Sequence, residues 1–231
     1  MFQPGVGAFL GLNAPFFVAD DPHRDGCSVL FLTCIIANRI EKSKTGHMRK
    51  IIYGINLSAD GCCDHTKFSG SEGTHEYFTN LMRDVDLIIY GRKTYELMVP
   101  YWPEVAKKQS ENKAENEFAQ TFDAIDKIVF SRSLDKVEGN TRIIRANLAE
   151  EVLKLKQEPG KNISIGGVSL PSQLMAFGLV DEFYFLVHPA LAGQGRRLFD
   201  DINLQKQLDI KLIDSQVFPS GCIALHYLKQ W

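Results

Sequence analysis

Glycines beside cations and hydroxyls recur in this sequence just after short apolar runs, a pairing suited to holding phosphate groups. Gly91-Arg92-Lys93-Thr94 follows the run Asp86 to Tyr90: the glycine permits close backbone approach, unpaired N–H groups are expected at a helix start, and two cations stand beside them. Ser131-Arg132-Ser133 follows Lys127 to Phe130, and two hydroxyls with a guanidinium suit a monophosphate such as the one that distinguishes NADP from NAD. Gly166-Gly167 lies between a strand pattern and a helix pattern, where missing side chains let a pyrophosphate lie against the backbone. Each run also has a plainer reading, as a strand-to-helix turn with solvated cations, a solvent-facing loop or a tight turn. The G-x-G-x-x-G fingerprint and the P-loop lysine pattern are both missing from the sequence, so nucleoside triphosphatase chemistry is not supported.

A further run, His188-Pro189-Ala190-Leu191-Ala192-Gly193-Gln194-Gly195-Arg196-Arg197-Leu198-Phe199, reads either as a loop whose arginines meet an anionic substrate or as a connector with exposed cations. His188 itself, on an apolar strand, reads as a satisfied structural histidine. Cys62, Cys63 and His65 match no zinc spacing, so no metal is expected. Five cysteines, two of them adjacent, do not form a secreted disulfide framework and point to a reducing cytoplasm. A net charge of -2 disfavours nucleic acid and acidic membrane surfaces as partners, and 45% hydrophobic with 23% charged residues is an ordinary globular balance.

The elements that must position these residues begin late. Residues 1–47 specify no element, and the apolar run Val29 to Ala37 is too short for the ~20 residues a bilayer span needs. Acidic residues precede that run, unlike a signal peptide. Met48 is therefore the expected natural start, the leader being upstream sequence read in frame. From there Lys50 to Leu57 reads as a strand, stopped by Ser58-Ala59-Asp60-Gly61. Thr74 is a candidate N-cap for a helix carrying Tyr77, Phe78, Leu81, Met82 and Val85 on one face. Asp86 to Tyr90 reads as a strand covered on both faces, and Thr94 to Val99 as a helix stopped by Pro100 and Pro103. Glu104 to Glu117 has few apolar anchors and reads as a solvated loop or surface helix. Lys127 to Ser131, Thr141 to Arg145, Asn162 to Ile165 and Glu182 to Pro189 are strand patterns; helices are expected from Asn147 to the Pro159-Gly160 stop and from Ser169 to Phe177. Leu208 to Val217 and Cys222 to Lys229 complete the chain as an antiparallel hairpin. The order implies an α/β, three-layer fold: a mostly parallel central sheet with a C-terminal antiparallel hairpin and helices on both faces.

Taken together, MRKIIYGINLSADG, LIIYGRKTYE, KIVFSRS and ISIGGVSLPSQLMAFGLVDEFYFLVHPALAGQGRRLF resemble the dihydrofolate reductase-like fold, and more closely the reductase domain of riboflavin biosynthesis, the RibD C-terminal type. The likeness runs from Met48 to about Lys229. It implies NADPH as hydride donor, with Gly91, Arg92, Lys93 and Thr94 at the phosphates, Ser131 and Arg132 near the 2′-phosphate, and Gly166 and Gly167 under the pyrophosphate. It also implies that the Ser58 to Gly61 loop covers nicotinamide and substrate, with Asp60 as an acidic candidate, and that the protein pairs as a homodimer. Dihydrofolate reductases carry a carboxylate in the first helix; Glu76, followed by Tyr77, is the nearest counterpart. The leader lacks the H-x-E and P-C-x-x-C signature of the deaminase that usually precedes such reductases.

The expected activity is NADPH-dependent reduction of a small heterocycle resembling 5-amino-6-(5-phosphoribosylamino)uracil. Dihydrofolate reduction and non-catalytic NADP binding are the rivals. The cofactor carries the hard chemistry, so few side chains need be catalytic.

Overall fold

The computed structural model describes residues 48–64, 68, 70–200, 204 and 206–230. The leader 1–47 and His65 lie outside the described residues, so the structure does not test the expectations placed on them. In chain order the elements are β1 (Ile51–Ser58), α1 (Glu72–Met82), β2 (Val85–Gly91), α2 (Arg92–Met98), α3 (Trp102–Lys108), α4 (Lys113–Ala124), β3 (Asp126–Phe130), β4 (Thr141–Ile144), α5 (Leu148–Gln157), β5 (Asn162–Ile165), α6 (Ser169–Ala176), β6 (Glu182–His188), β7 (Ile210–Val217) and β8 (Ile223–Lys229). The strands form an 8-stranded sheet in the order β4-β3-β2-β5-β1-β6-β8-β7. All pairings from β4 to β6 are parallel, and the β6–β8 and β8–β7 pairings are antiparallel.

The pleat divides the core. Ile52, Ile88, Tyr90 and Val129 point to one face and pack with Met82 of α1, Tyr95 of α2, and Phe118 and Phe122 of α4. Ile51, Tyr53, Ile89 and Ile128 point the other way and are equally buried; α5 and α6 supply the buried apolar residues Val152, Leu155, Leu170 and Leu174. Phe122 is fully buried, and truncating such a side chain costs about 3–5 kcal/mol.

Several boundaries differ from the sequence expectation, each for a local reason. Ser71, not Thr74, caps α1; Thr74 sits inside the first turn, where its hydroxyl accepts the Ser71 N–H at 2.8 Å and closes a capping box. Val85 opens β2 instead of ending α1. Pro103 starts a helix rather than stopping one, because a first-turn residue has no intrahelical N–H bond to lose. The stretch Glu104 to Glu117 is helical for most of its length: α4 is capped by the Asn112 side chain and buries Ala114, Phe118, Ala119 and Phe122, a stripe that continues beyond the charged run.

Candidate functional site

The parallel strands all run the same way, so Ser58, Gly91, Phe130, Ile165 and His188 stand together at one edge of the sheet. The chain builds β1 to β4 outward, then returns to insert β5 between β2 and β1. That reversal is the topological switch point at which open α/β sheets hold ligands.

A cavity of about 380 Å³ opens there, lined by Gly91, Ser131, Arg132, Arg145, Asn147 and Ser169 among others. The fold thus brings the Gly91 run and the Ser131 run to one place. The Ser131 hydroxyl accepts the Leu134 N–H at 3.0 Å and shapes the turn, which leaves its own hydrogen for a ligand. Arg132 is exposed and has no side-chain partner among the described residues, whereas Arg145 donates to Leu134 O at 2.6 Å. Arg92, by contrast, is held in a two-oxygen pair with Glu96 at 3.0 Å, and Lys93 is exposed.

Gly166 and Gly167 follow β5, beside α2. Gly167 has φ +85°, and a Cβ on it would overlap the Thr94 side chain; a Cβ on Gly166 would stand 2.5 Å from the Tyr90 ring. Both glycines are needed for Thr94 and Tyr90 to approach the backbone. Tyr53 donates its hydroxyl to Gly167 O at 2.8 Å, which pins the turn from beneath. Burial pushes the Tyr53 phenol well up, Cys63 adds to this, and the nearby Arg196 opposes it.

The loop after β1 is tied to the loop after β6. The Asp60 carboxylate accepts the Ser58 hydroxyl at 2.5 Å and the Ala192 and Gly193 N–H groups at 3.0 and 2.9 Å, and Arg197 lies 3.6 Å away. The Ser58 bond first, then the Ala192 amide, lower its pKa to about 2. Asp60 is therefore an ionised brace near neutral pH, with no proton to give. Cys63 N–H donates to Arg196 O at 2.7 Å, and Cys62 forms an antiparallel bridge with Arg197. Gly61 turns this loop at φ +82°. The Cys63 thiol is pushed up to about 11, chiefly by burial, which keeps it a neutral thiol near neutral pH.

Glu76 and Tyr77 lie elsewhere, in a cavity of about 600 Å³ between α1 and the β7–β8 turn, with Glu72, Gln216, Phe218 and Ser220. None of its lining residues belongs to the Gly91, Ser131 or Gly166 runs. Glu76 is exposed, and Tyr77 packs edge-on against Phe218 at 5.8 Å.

His188 is buried and both ring nitrogens have partners: Nε2 lies 2.9 Å from Asn56 Oδ1 and Nδ1 lies 3.4 Å from Cys222 Sγ. Burial lowers its pKa, and a neutral ring that donates from Nε2 and accepts the thiol at Nδ1 satisfies both contacts. Among the described residues no group of three or more His, Cys, Asp or Glu could hold a metal ion, and no helix is long and apolar enough to cross a membrane.

Arg145, Asn147 and Ser169, which the sequence marks only as element boundaries, also line the cavity. The rule that selected Ser131, residues just past a strand's carboxyl end, reaches Arg145 equally well, because Arg145 follows β4 directly.

The sequence model of the RibD C-terminal domain matches residues 49–224. YyaP, an uncharacterized protein of Bacillus subtilis (strain 168), is 31% identical over 188 residues, covering 78% of this chain and 94% of YyaP. YwjB, also uncharacterized and from the same organism, is 28% identical over 181 residues, or 76% and 91% of the two chains. Among solved structures, a putative riboflavin biosynthesis protein from Shewanella sp. PV-4 aligns with TM-score 0.61 at 18% identity over 79% of this chain and 99% of its own. Acinetobacter baumannii RibD aligns with TM-score 0.57 at 16% identity over 82% of this chain and 60% of its own. A pyrimidine reductase-like protein from Corynebacterium diphtheriae gives TM-score 0.53 at 16% identity, over 79% and 92%.

Proposed function

The chain belongs to the RibD C-terminal domain family, and from that premise we propose that it is a reductase using NADPH and acting on a small heterocycle of the 5-amino-6-(5-phosphoribosylamino)uracil type. One observation carries the reading. Gly91, Ser131, Arg132 and Arg145, from three separate strand ends, converge on one cavity at the switch point of the sheet, next to a glycine turn that admits close approach to its backbone.

The donor set fits a phosphorylated dinucleotide: Ser131, Arg132 and Arg145 for the monophosphate that marks NADP, and Gly166 and Gly167 for the pyrophosphate. When bound, NADPH supplies the hydride. The chain's own residues bind, orient and exclude water. Asp60 keeps the Ser58–Gly61 loop closed against the strap after β6, and Glu76 with Tyr77 offers a polar and an aromatic contact to the substrate ring. Exposed Leu212, Ile213 and Val217 on the edge strand β7 fit pairing with a second copy, since an apolar edge strand otherwise invites aggregation. The unpaired thiols of Cys62, Cys63 and Cys222 suit a reducing cytoplasm.

Titration of the full chain with NADPH and NADH, followed by assay of NADPH oxidation with the ribosylaminopyrimidine and with dihydrofolate, tests the reading. Preference for NADPH and turnover of the pyrimidine are expected. Equal affinity for NADH would remove the clamp at Ser131 and Arg132. Tight NADPH binding without oxidation by either substrate would leave a binding protein in place of an enzyme.

A further inference from the structure

The glycine turn that would receive the pyrophosphate lacks a cation of its own. Gly166 and Gly167 offer only backbone, Arg92 is engaged by Glu96, Lys93 is a solvated ammonium on the exposed side of α2, and Arg132 and Arg145 stand at the ends of β3 and β4. A pyrophosphate held by amides and one solvated ammonium would lack the planar two-donor contact that a guanidinium gives.

One guanidinium from a distant part of the sequence reaches the start of α6, two residues past that turn. Arg196 lies in the strap between β6 and β7, and its Nη2 donates to Ser169 Oγ at 2.7 Å, at the first residue of α6 and on the wall of the cavity. Its charge is also felt by Tyr53, whose hydroxyl holds Gly167 O. Arg196 therefore sits beside two residues that flank the glycine turn. Its neighbour Arg197 goes the other way, toward Asp60, as the alternation of extended backbone requires.

The strap is locked before any ligand arrives. Asp60 holds the amides of Ala192 and Gly193, and Cys63 holds the Arg196 carbonyl. A guanidinium on a braced backbone costs little further ordering when it binds an anion.

We propose that Arg196 is the counter-ion of the dinucleotide's pyrophosphate, presented to the Gly166-Gly167 turn by a strap that the Asp60 carboxylate braces. This rests on the NADPH reading above and adds to it a binding residue from outside the nucleotide-binding strand ends. Ser169 is one of its resting partners, and a phosphate oxygen takes that place or shares the fork.

Two probes separate the proposal from its alternatives. NADPH carries the pyrophosphate, whereas 2′-AMP carries only the monophosphate and the adenosine. In full-length protein, Arg196→Met is expected to weaken NADPH at least ~10-fold, the scale of a lost charge-assisted contact, and to leave 2′-AMP within about twofold. Arg196→Lys should recover part of the NADPH affinity, and Arg83→Met, which removes an exposed guanidinium at the opposite end of β2, should change neither. NADPH binding by Arg196→Met within twofold of the parent overturns the proposal and leaves the cofactor reading standing. Equal weakening of both probes also overturns it, because Arg196 would then only hold α6 in place. A parent protein that binds 2′-AMP or NADPH no better than a carrier protein does would end the cofactor reading and this assignment together.

Discussion

The cavity at the carboxyl ends of β2, β3 and β4 and the groove between α1 and the β7–β8 turn are built by different means. In the first, parallel pairing fixes everything: once Gly91 lies opposite Phe130, the residues after each strand must arrive at the same edge. In the second, a helix meets a hairpin turn more than a hundred residues later in the chain, and Gly73 lies close against Phe218, where a Cβ would stand 3.1 Å from the ring. Backbone topology thus specifies the cavity, while side-chain packing specifies the groove.

If that division is right, a backbone change at the first should have the largest effect. Gly167→Val places a branched side chain at φ +85° and into Thr94, so the turn must move. NADPH affinity is expected to fall more than ~100-fold, corresponding to about 2.7 kcal/mol of strain and lost contact. Isothermal titration decides it; affinity within tenfold of the parent would mean that the turn is not the pyrophosphate seat.

The groove should respond in the opposite sense. Glu76→Gln is expected to leave the NADPH dissociation constant unchanged while lowering kcat/KM for the heterocycle by ~10–100-fold, as for loss of a carboxylate that contacts a reacting ring. Unaltered turnover takes Glu76 out of the mechanism and moves the substrate elsewhere. A smaller effect is expected at the end of β4, within the first cavity. Arg145→Ala should reduce the preference for NADPH over NADH by ~10-fold, with NADH affinity little changed. Equal loss for both dinucleotides would show that Arg145 only supports the Leu134 turn through its 2.6 Å bond.

The same division explains what could be read in the sequence. Strand and helix periods, the terminal hairpin and the positions of Gly91, Ser131 and Gly166 followed from local patterns, because a parallel sheet converts chain order into position. What escaped were contacts set by tertiary packing. Phe118 and Phe122 were hidden behind the charges of Glu104 to Glu117, and no local signal shows that Asp60 would face Ala192 and Gly193. Asp60 shows why residue type alone misleads: an acidic residue in a substrate loop invites the role of proton donor, yet its carboxylate is consumed by one hydroxyl and two amides.

That brace gives the smallest and most specific test, because its contribution has a sign in pH. The Ser58 hydroxyl and the strap amides bond the charged form of Asp60, so its pKa in the folded chain, about 2, lies below the ~3.9 of an unperturbed Asp. The folded state therefore holds this proton less tightly than the unfolded state does. Stability from Asp60 is fully present above about pH 4 and is lost as pH falls through about 2. Asp60→Asn removes the charge at every pH. The difference in melting temperature between parent and variant should stay constant from pH 8 to 5, shrink below 4 and nearly close at 2. A difference that does not change with pH would mean that Asp60 acts through shape alone, and the strap carrying Arg196 would then owe its position to the Cys62–Arg197 bridge and not to the carboxylate.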